Sequence, residues 1–336
     1  MDQTVVDTYC YTFCDRILPE VSRSFALIIP KCPPPLNRAL CVSYLICRIA
    51  DTIEDRTSLD IHQRELLYDA LLHAIDKPED RSRAEDFIKA WPAVPDGTYG
   101  QLVNGICDVL SAFNRLPNEL RQPIKICVHD MVLGMRDTHA VEKRNDIAFM
   151  CADLDELDQY CHHVAGNVGI MATSFFESRF DPTVFSPTDQ WREDGRLMGL
   201  GLQMTNIIKD CHVDARRGVS FIPSCYVDFS QSDYRLLRWS RAELIKHTIG
   251  HLDSAMRYIQ AVPSSEIGIR TFLLGSVLPA IATLELAASG KDDHPKLDRT
   301  QMAAIFKCIE HHHNDSKVHL AWYEEHRRRT LDIADS

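Results

Sequence analysis

Apolar residues recur at helical spacing along nearly the whole chain, and alternating β-branched runs closed by Asn-Gly or Asp-Gly turns are almost absent. The pattern predicts helices at about 4–17, 35–56, 60–75, 80–90, 98–115, 118–139, 153–177, 189–211, 239–261, 265–289 and 298–328. Segments rich in proline or glycine at Pro30 to Pro35, Trp91 to Gly97 and Phe180 to Pro187 punctuate them. No internal repeat and no long polar linker divides the chain, so one all-α domain over 1–336 is expected. The most apolar stretch, Phe272 to Ala288, falls short of the roughly 20 residues a membrane span needs and contains Pro279 and Glu285. It reads as a buried helix.

Two of these apolar helices carry a polar stripe. In Tyr44 to Asp55, YLICRIADTIED, the side chains of Tyr44, Arg48, Asp51 and Asp55 fall within about 60° of one another, with Leu45, Ile46, Ile49 and Ile53 on the other faces. In Gln203 to Asp214, QMTNIIKDCHVD, one face carries Gln203, Asn206, Asp210 and Asp214, while Met204, Ile207 and Ile208 point elsewhere. Acids four apart repel by roughly 0.2–0.5 kcal/mol when exposed, and by more when desolvated, unless a cation lies between them. With 48 acids in 336 residues, chance alone supplies roughly seven such pairs, so a single stripe is weak evidence. Two of one design, each with a basic neighbour (Arg48, Lys209), are harder to obtain by chance. Two helices each donating two carboxylates would build an oxygen-ligand cage suited to Mg²⁺.

Other segments take meaning from that pair. Val21 to Phe25, VSRSF, places serines around an arginine at a helix entrance, a pattern that fits either capping or phosphate binding. Tyr160 to Met171, YCHHVAGNVGIM, holds Gly166 and Gly169 inside a helix at a cost of about 1 kcal/mol each relative to alanine, which calls for close packing or room for a ligand. His162 and His163 have no partner at zinc spacing and read as structural. Arg216 and Arg217 either complement a helix dipole or grip a diphosphate. The run His311 to His313 reads as a solvated face.

A net charge of −11 argues against a nucleic-acid partner. The twelve cysteines form no CxxC pair and are scattered through apolar segments, as reduced, buried hydrophobes would be. The N-terminal residues show neither a basic region nor an apolar run, so a secretory signal is not expected.

VSRSF, YLICRIADTIED, YCHHVAGNVG and NIIKDCHVDARRG, in this order and spacing, resemble the four signature segments of the squalene and phytoene synthase family, and the resemblance spans about residues 9–325. It implies an all-α isoprenoid-synthase fold with a central cavity, in which Mg²⁺ held by the aspartate motifs binds farnesyl diphosphate or another prenyl diphosphate. On the matching positions, Asp51, Glu54, Asp55, Asn206, Asp210 and Asp214 would serve the metal. Ser22, Arg23, Ser24, Phe25, Tyr44, Gln203, Asn206, Lys209, Arg216 and Arg217 would contact substrate, with Arg48, Tyr160 and Phe272 in catalytic roles. Tyr160 would assist proton removal or diphosphate departure.

DTIED, the wording YCHHVAG and PAIATLELA after Phe272 lean towards the squalene synthase branch, which reduces its intermediate with NADPH; dehydrosqualene and phytoene synthases lose a proton instead. PKLDRTQ resembles that branch's nucleotide-phosphate segment, through Lys296 and Arg299. No glycine-rich dinucleotide fingerprint is present, so NADPH rests on the resemblance alone. Val219 stands where many members carry a basic residue, leaving that part to Arg216 or Arg217. The eukaryotic members' C-terminal anchor is missing from the sequence, so a bacterial-type or trimmed protein is expected. It would be a cytoplasmic monomer, with a peripheral membrane contact for product release as an option, serving sterol or hopanoid biosynthesis. An unrelated alternative, a helical di-metal carboxylate oxidase, needs two inward ExxH pairs, and only Glu310 with His313 offers one.

Overall fold

The structure, a computed structural model, describes residues 3–336 except Arg23, Thr57, Gln231, Ser232, Asp233, Lys291 and Asn314, and only the backbone of 3–10. The chain packs as two compact units, Met1–Arg136 with Ser174–Arg179, and Asp137–Thr173 with Phe180–Ser336.

In the first unit the chain forms α1 (Gln3–Val21), the short α2 (Phe25–Ile28) running into a tight turn, α3 (Leu36–Glu54), α4 (Ile61–Asp76) and α5 (Arg81–Ala90). α6 (Gly97–Asn104), α7 (Ile106–Asn114) and α8 (Asn118–Asp137) follow. Helix α3 packs on α1, α4, α6 and α7. It can do so because Leu45, Ile46, Ile49, Ala50 and Ile53 are all fully buried, leaving the Tyr44–Arg48–Asp51 face partly open. Asp60 and Gln63 form a reciprocal cap at the start of α4, satisfying amide groups that the helix itself leaves unpaired. The single helix expected over 98–115 is two, divided where Gly105 closes α6 with its N–H on Gln101 and Leu102.

The second unit holds α9 (Leu154–Cys161), a π-helical turn (His162–Gly166), and α10 (Asn167–Glu177), whose last turn groups with the first unit. The 28-residue α11 (Asp189–Arg216), α12 (Arg238–Ala261), α13 (Ile267–Ala288), α14 (Arg299–His311) and α15 (Ser316–Asp335) complete its helices. Helix α11 packs on α9, α12, α13 and the π turn. Trp191 donates from Nε1 to the Tyr258 carbonyl at 3.1 Å, and Thr173 Oγ1 lies 2.8 Å from the Tyr258 hydroxyl, so one tyrosine of α12 ties both α10 and α11.

Further expectations are corrected. Strands, almost absent from the sequence signal, occur as β1 (Glu142–Arg144), β2 (Ile147–Phe149), β3 (Val219–Ser220), β4 (Val227–Asp228) and β5 (Arg235–Leu236). Strands β1 and β2 pair antiparallel, β2 and β3 parallel, and β4 and β5 antiparallel. They are too short to show alternation, and the β1–β2 turn uses Asn145 and Asp146, both with positive φ (49° and 61°), in place of a glycine dipeptide. The helix expected over 298–328 is interrupted after α14, where Asp315 accepts from the amides of Lys317 and Val318 and starts α15. Helix α13 lies within the expected 265–289 and is a buried helix as read, with 67% of its most apolar window inside the protein; only its length is understated by the Phe272 to Ala288 stretch, since at 22 residues it is long and apolar enough to cross a membrane. Every described cysteine side chain is a free thiol, most of them buried, with Cys225 exposed.

One buried cation of the second unit closes a helix end. The Arg270 guanidinium, 2% exposed on α13, donates to the carbonyls of Ile259 (3.2 Å) and Val262 (2.9 Å) at the carboxyl end of α12, where cations are favoured. His319 on α15 is 1% exposed, and burial, with Arg270 and His312 nearby, lowers its pKa from the ordinary value. The unfolded chain then binds a proton that the folded chain does not, so stability falls as the pH drops through about 6.5. His319→Leu is expected to lessen the loss of thermal midpoint between about pH 7.5 and pH 5.5; an unchanged loss would show that His319 does not drive it.

Candidate active site

In the first unit the VSRSF segment and the α3 stripe form one connected group. Ser22, buried, accepts from the Phe25 amide at 3.1 Å, so this serine opens α2 by a local hydrogen bond. The Phe25 and Tyr44 rings lie 5.3 Å apart. Tyr44 donates to the Val21 carbonyl at 3.2 Å and accepts from Arg48 at 3.1 Å. Arg48 in turn reaches Asp51 at 3.3 Å, and Asp55 caps α3 one turn further on. Ser24 is exposed, and Arg23 lies outside the described residues.

The electrostatics follow from this chain of contacts. Burial raises the Asp51 pKa and Arg48 lowers it, with Asp55 adding to the rise. Burial would lower that of Arg48, but Asp51 and Tyr44 outweigh it and hold the guanidinium firmly charged. A half-buried carboxylate repelled by a second acid one turn away is a place where a divalent cation relieves strain, and its oxygen donors suit Mg²⁺. Glu54 stands next to this face and acts on the buried Tyr68 phenol, raising its pKa together with burial.

In the second unit the other stripe runs along α11. Lys209 bonds Asn206 at 3.3 Å and pairs with Asp210 at 3.0 Å; Arg217 pairs with Asp214 at 3.5 Å. The loop before α14 closes on the same face: His294 Nδ1 lies 3.0 Å from Asp210, and Asp293 reaches Arg216 at 3.3 Å. Gln203 is half-buried on this helix and Asn206 is exposed. The donors are again carboxylate and amide oxygens, so the set fits Mg²⁺, although Asp210 here already has Lys209 and His294 as partners.

Tyr160 lies in the last turn of α9, one residue before Cys161 and the π turn, a local irregularity often found at functional sites. It is 6% exposed and stacks on Phe221, with ring centroids 4.4 Å apart and an angle of 19°. Phe221 follows β3, so the strand that contains Val219 positions the ring behind Tyr160. Val219 itself pairs with Ala148, which is where a β-branched residue is at home. Phe272 is buried on α13. Lys296 and Arg299 are exposed, and DRTQ within PKLDRTQ is a capping box: Asp298 and Gln301 satisfy each other's amides at the start of α14. Sequence reasoning missed Phe221, Asp293 and His294, which sit outside any periodic segment.

Residues 18–304 match the family model described as squalene/phytoene synthase. This chain belongs to the squalene/phytoene synthase family. A squalene synthase of Candida albicans is 30% identical over 75% of this chain, and that of Bos taurus is 29% identical over 84%. The chain spans 57% and 65% of the length of those two relatives. The solved complex of TcSQS with the ligand BPH1237 superposes with a TM-score of 0.77 at 24% identity, covering 97% of this chain and 96% of that one, which establishes a shared fold. The isoprenoid-synthase fold and the family expected from the four motifs are thus both shown.

Proposed function

We propose that this chain is a squalene synthase: a Mg²⁺- and NADPH-dependent farnesyl-diphosphate farnesyltransferase. It would join two farnesyl diphosphates head to head, releasing one diphosphate and a proton to give the cyclopropylcarbinyl diphosphate presqualene diphosphate. Hydride from NADPH and loss of the second diphosphate would then yield squalene. The observation that carries the reading is that each aspartate helix bears a cation beside its first aspartate, Arg48 with Asp51 and Lys209 with Asp210. That pairing is what a magnesium-bound diphosphate needs, oxygen ligands for the ion and adjacent donors for the phosphate oxygens.

Asp51, Asp55, Asp210 and Asp214, with Glu54 and Asn206 beside them, would hold Mg²⁺, which supplies charge neutralisation for the departing diphosphate when bound. Arg48, Lys209, Arg216 and Arg217, with Ser22, Ser24, Tyr44 and Gln203, would orient the diphosphates. Tyr160, fixed against Phe221, would take part in proton removal or diphosphate departure. Phe25 and Phe272 would present apolar surface to the isoprenoid, since an allylic cation must be kept from water. Lys296 and Arg299 would meet the NADPH phosphates; support comes from the loop that carries Lys296 and leads into Arg299 at the start of α14, whose His294 contacts Asp210. We read residues 1–336 as one catalytic domain, monomeric and cytoplasmic with a peripheral membrane contact, supplying squalene to sterol or hopanoid synthesis.

Incubation with farnesyl diphosphate and Mg²⁺, with and without NADPH, followed by product identification, tests this reading. Squalene formed only with NADPH is expected. Dehydrosqualene formed equally with and without it would replace the reductive reading by the dehydrosqualene synthase one.

A further inference from the structure

The second unit contains a cluster that the prenyl-transfer chemistry does not use. His247 and His251 stand four apart on α12, which puts both imidazoles on one face, one turn apart. Asp158 meets them from α9. His247 Nε2 lies 3.0 Å from each Asp158 carboxylate oxygen, and His251 Nε2 lies 3.2 Å from Oδ1. The two rings are nearly perpendicular, 81° at a centroid separation of 4.8 Å, and both Nε2 atoms face Asp158 Oδ1. We propose that Asp158, His247 and His251 bind a single divalent transition-metal ion of the zinc class.

Three features support the assignment. The first is spacing: ligands held at about 2.0–2.1 Å around a tetrahedral ion stand about 3.3–3.4 Å apart. The two separations from Asp158 Oδ1 are a few tenths of an ångström shorter, and all three ligand atoms lie within 4.8 Å of one another, so a small rotation of the rings admits the ion. The second is donor chemistry. Two imidazole nitrogens and one carboxylate oxygen select zinc, cobalt or nickel over magnesium, whereas the α3 and α11 stripes offer oxygen alone. The third is the local field. Asp155 and Glu243 act on His247, and Arg196, a nearby cation, is itself paired with Glu193 of α11 at 2.6 Å. Side-chain exposures of 31%, 12% and 29% for His247, His251 and Asp158 leave a fourth position open to water. An ion here would tie α9, which ends at Tyr160–Cys161, to α12.

The test is metal titration of the full, tag-free chain after chelator treatment, with excess Mg²⁺ present to occupy oxygen-only sites. One equivalent of Co²⁺ is expected to bind with the visible absorption of a four-coordinate ion and to be displaced by Zn²⁺. Asp158→Asn and His251→Gln are expected to weaken Zn²⁺ binding by at least about tenfold, while Asp51→Asn and Asp210→Asn retain it. If a cluster variant fails to fold by circular dichroism, X-ray absorption at the zinc edge of the unaltered protein decides, with two nitrogen ligands expected. No stoichiometric binding, an oxygen-only coordination shell, or equal binding by His251→Gln overturns the proposal.

Discussion

Asp51→Asn and Asp210→Asn are each expected to lower turnover of farnesyl diphosphate by at least about a hundredfold, a barrier increase of roughly 3 kcal/mol, with unchanged helical circular dichroism. Asparagine keeps the shape and removes the charge. In the first helix the substitution takes away the carboxylate that pairs with Arg48 at 3.3 Å, together with an oxygen that a divalent ion needs. In the second it takes away the partner of both Lys209 and His294, each 3.0 Å away. Neither aspartate contributes to an apolar core, so the fold has no reason to respond. Raising Mg²⁺ is expected to recover part of the lost rate, because a weakened site refills by mass action. Activity retained in both variants would remove the magnesium assignment.

Gly199→Ala is expected to destabilise the chain by on the order of 2 kcal/mol, although alanine is the better helix former by about 1 kcal/mol. A Cβ at Gly199 would stand 2.2 Å from the Ala165 carbonyl oxygen and 2.7 Å from its carbon, and backbone cannot swing aside as a side chain can. Gly169 is in the same position, 2.3 Å from the Gly195 carbonyl oxygen. The long α11 and the stretch through the π turn into α10 therefore approach backbone to backbone. Gly250 on α12 provides the contrast, since a Cβ there meets nothing within 4 Å. Gly250→Ala should stabilise by up to about 1 kcal/mol. Denaturant midpoints of the two variants moving in opposite directions would support this packing; both moving upward would contradict it.

Much of this is legible in the sequence. The long apolar helices α3 and α11 announce themselves by period, and their stripes by the four-residue spacing of Asp51 with Asp55 and Asp210 with Asp214. Gly166 and Gly169 carried a helix cost that called for close packing or room for a ligand, and the contacts of α10 and the π turn with α11 supply the packing. Part of what stayed hidden depends on residues distant in sequence. Nothing in HPKLDRTQ says that His294 touches Asp210, nor does Phe221 betray its stack on Tyr160. The β1–β2 hairpin escaped because Asn145 and Asp146 adopt left-handed backbone without glycine, and three-residue strands carry no readable alternation. DRTQ looked like part of a phosphate-binding segment, and the structure shows its acid and amide capping α14.

The most direct measurement is release of inorganic diphosphate from farnesyl diphosphate by the purified chain with Mg²⁺ and no reductant, with the organic product analysed in parallel. The first half-reaction predicts one diphosphate released for every two farnesyl diphosphates consumed and accumulation of a cyclopropylcarbinyl diphosphate. Loss of both on omitting Mg²⁺ is part of the same prediction. Absence of diphosphate release with Mg²⁺ present, or release yielding farnesol as the organic product, would contradict the account.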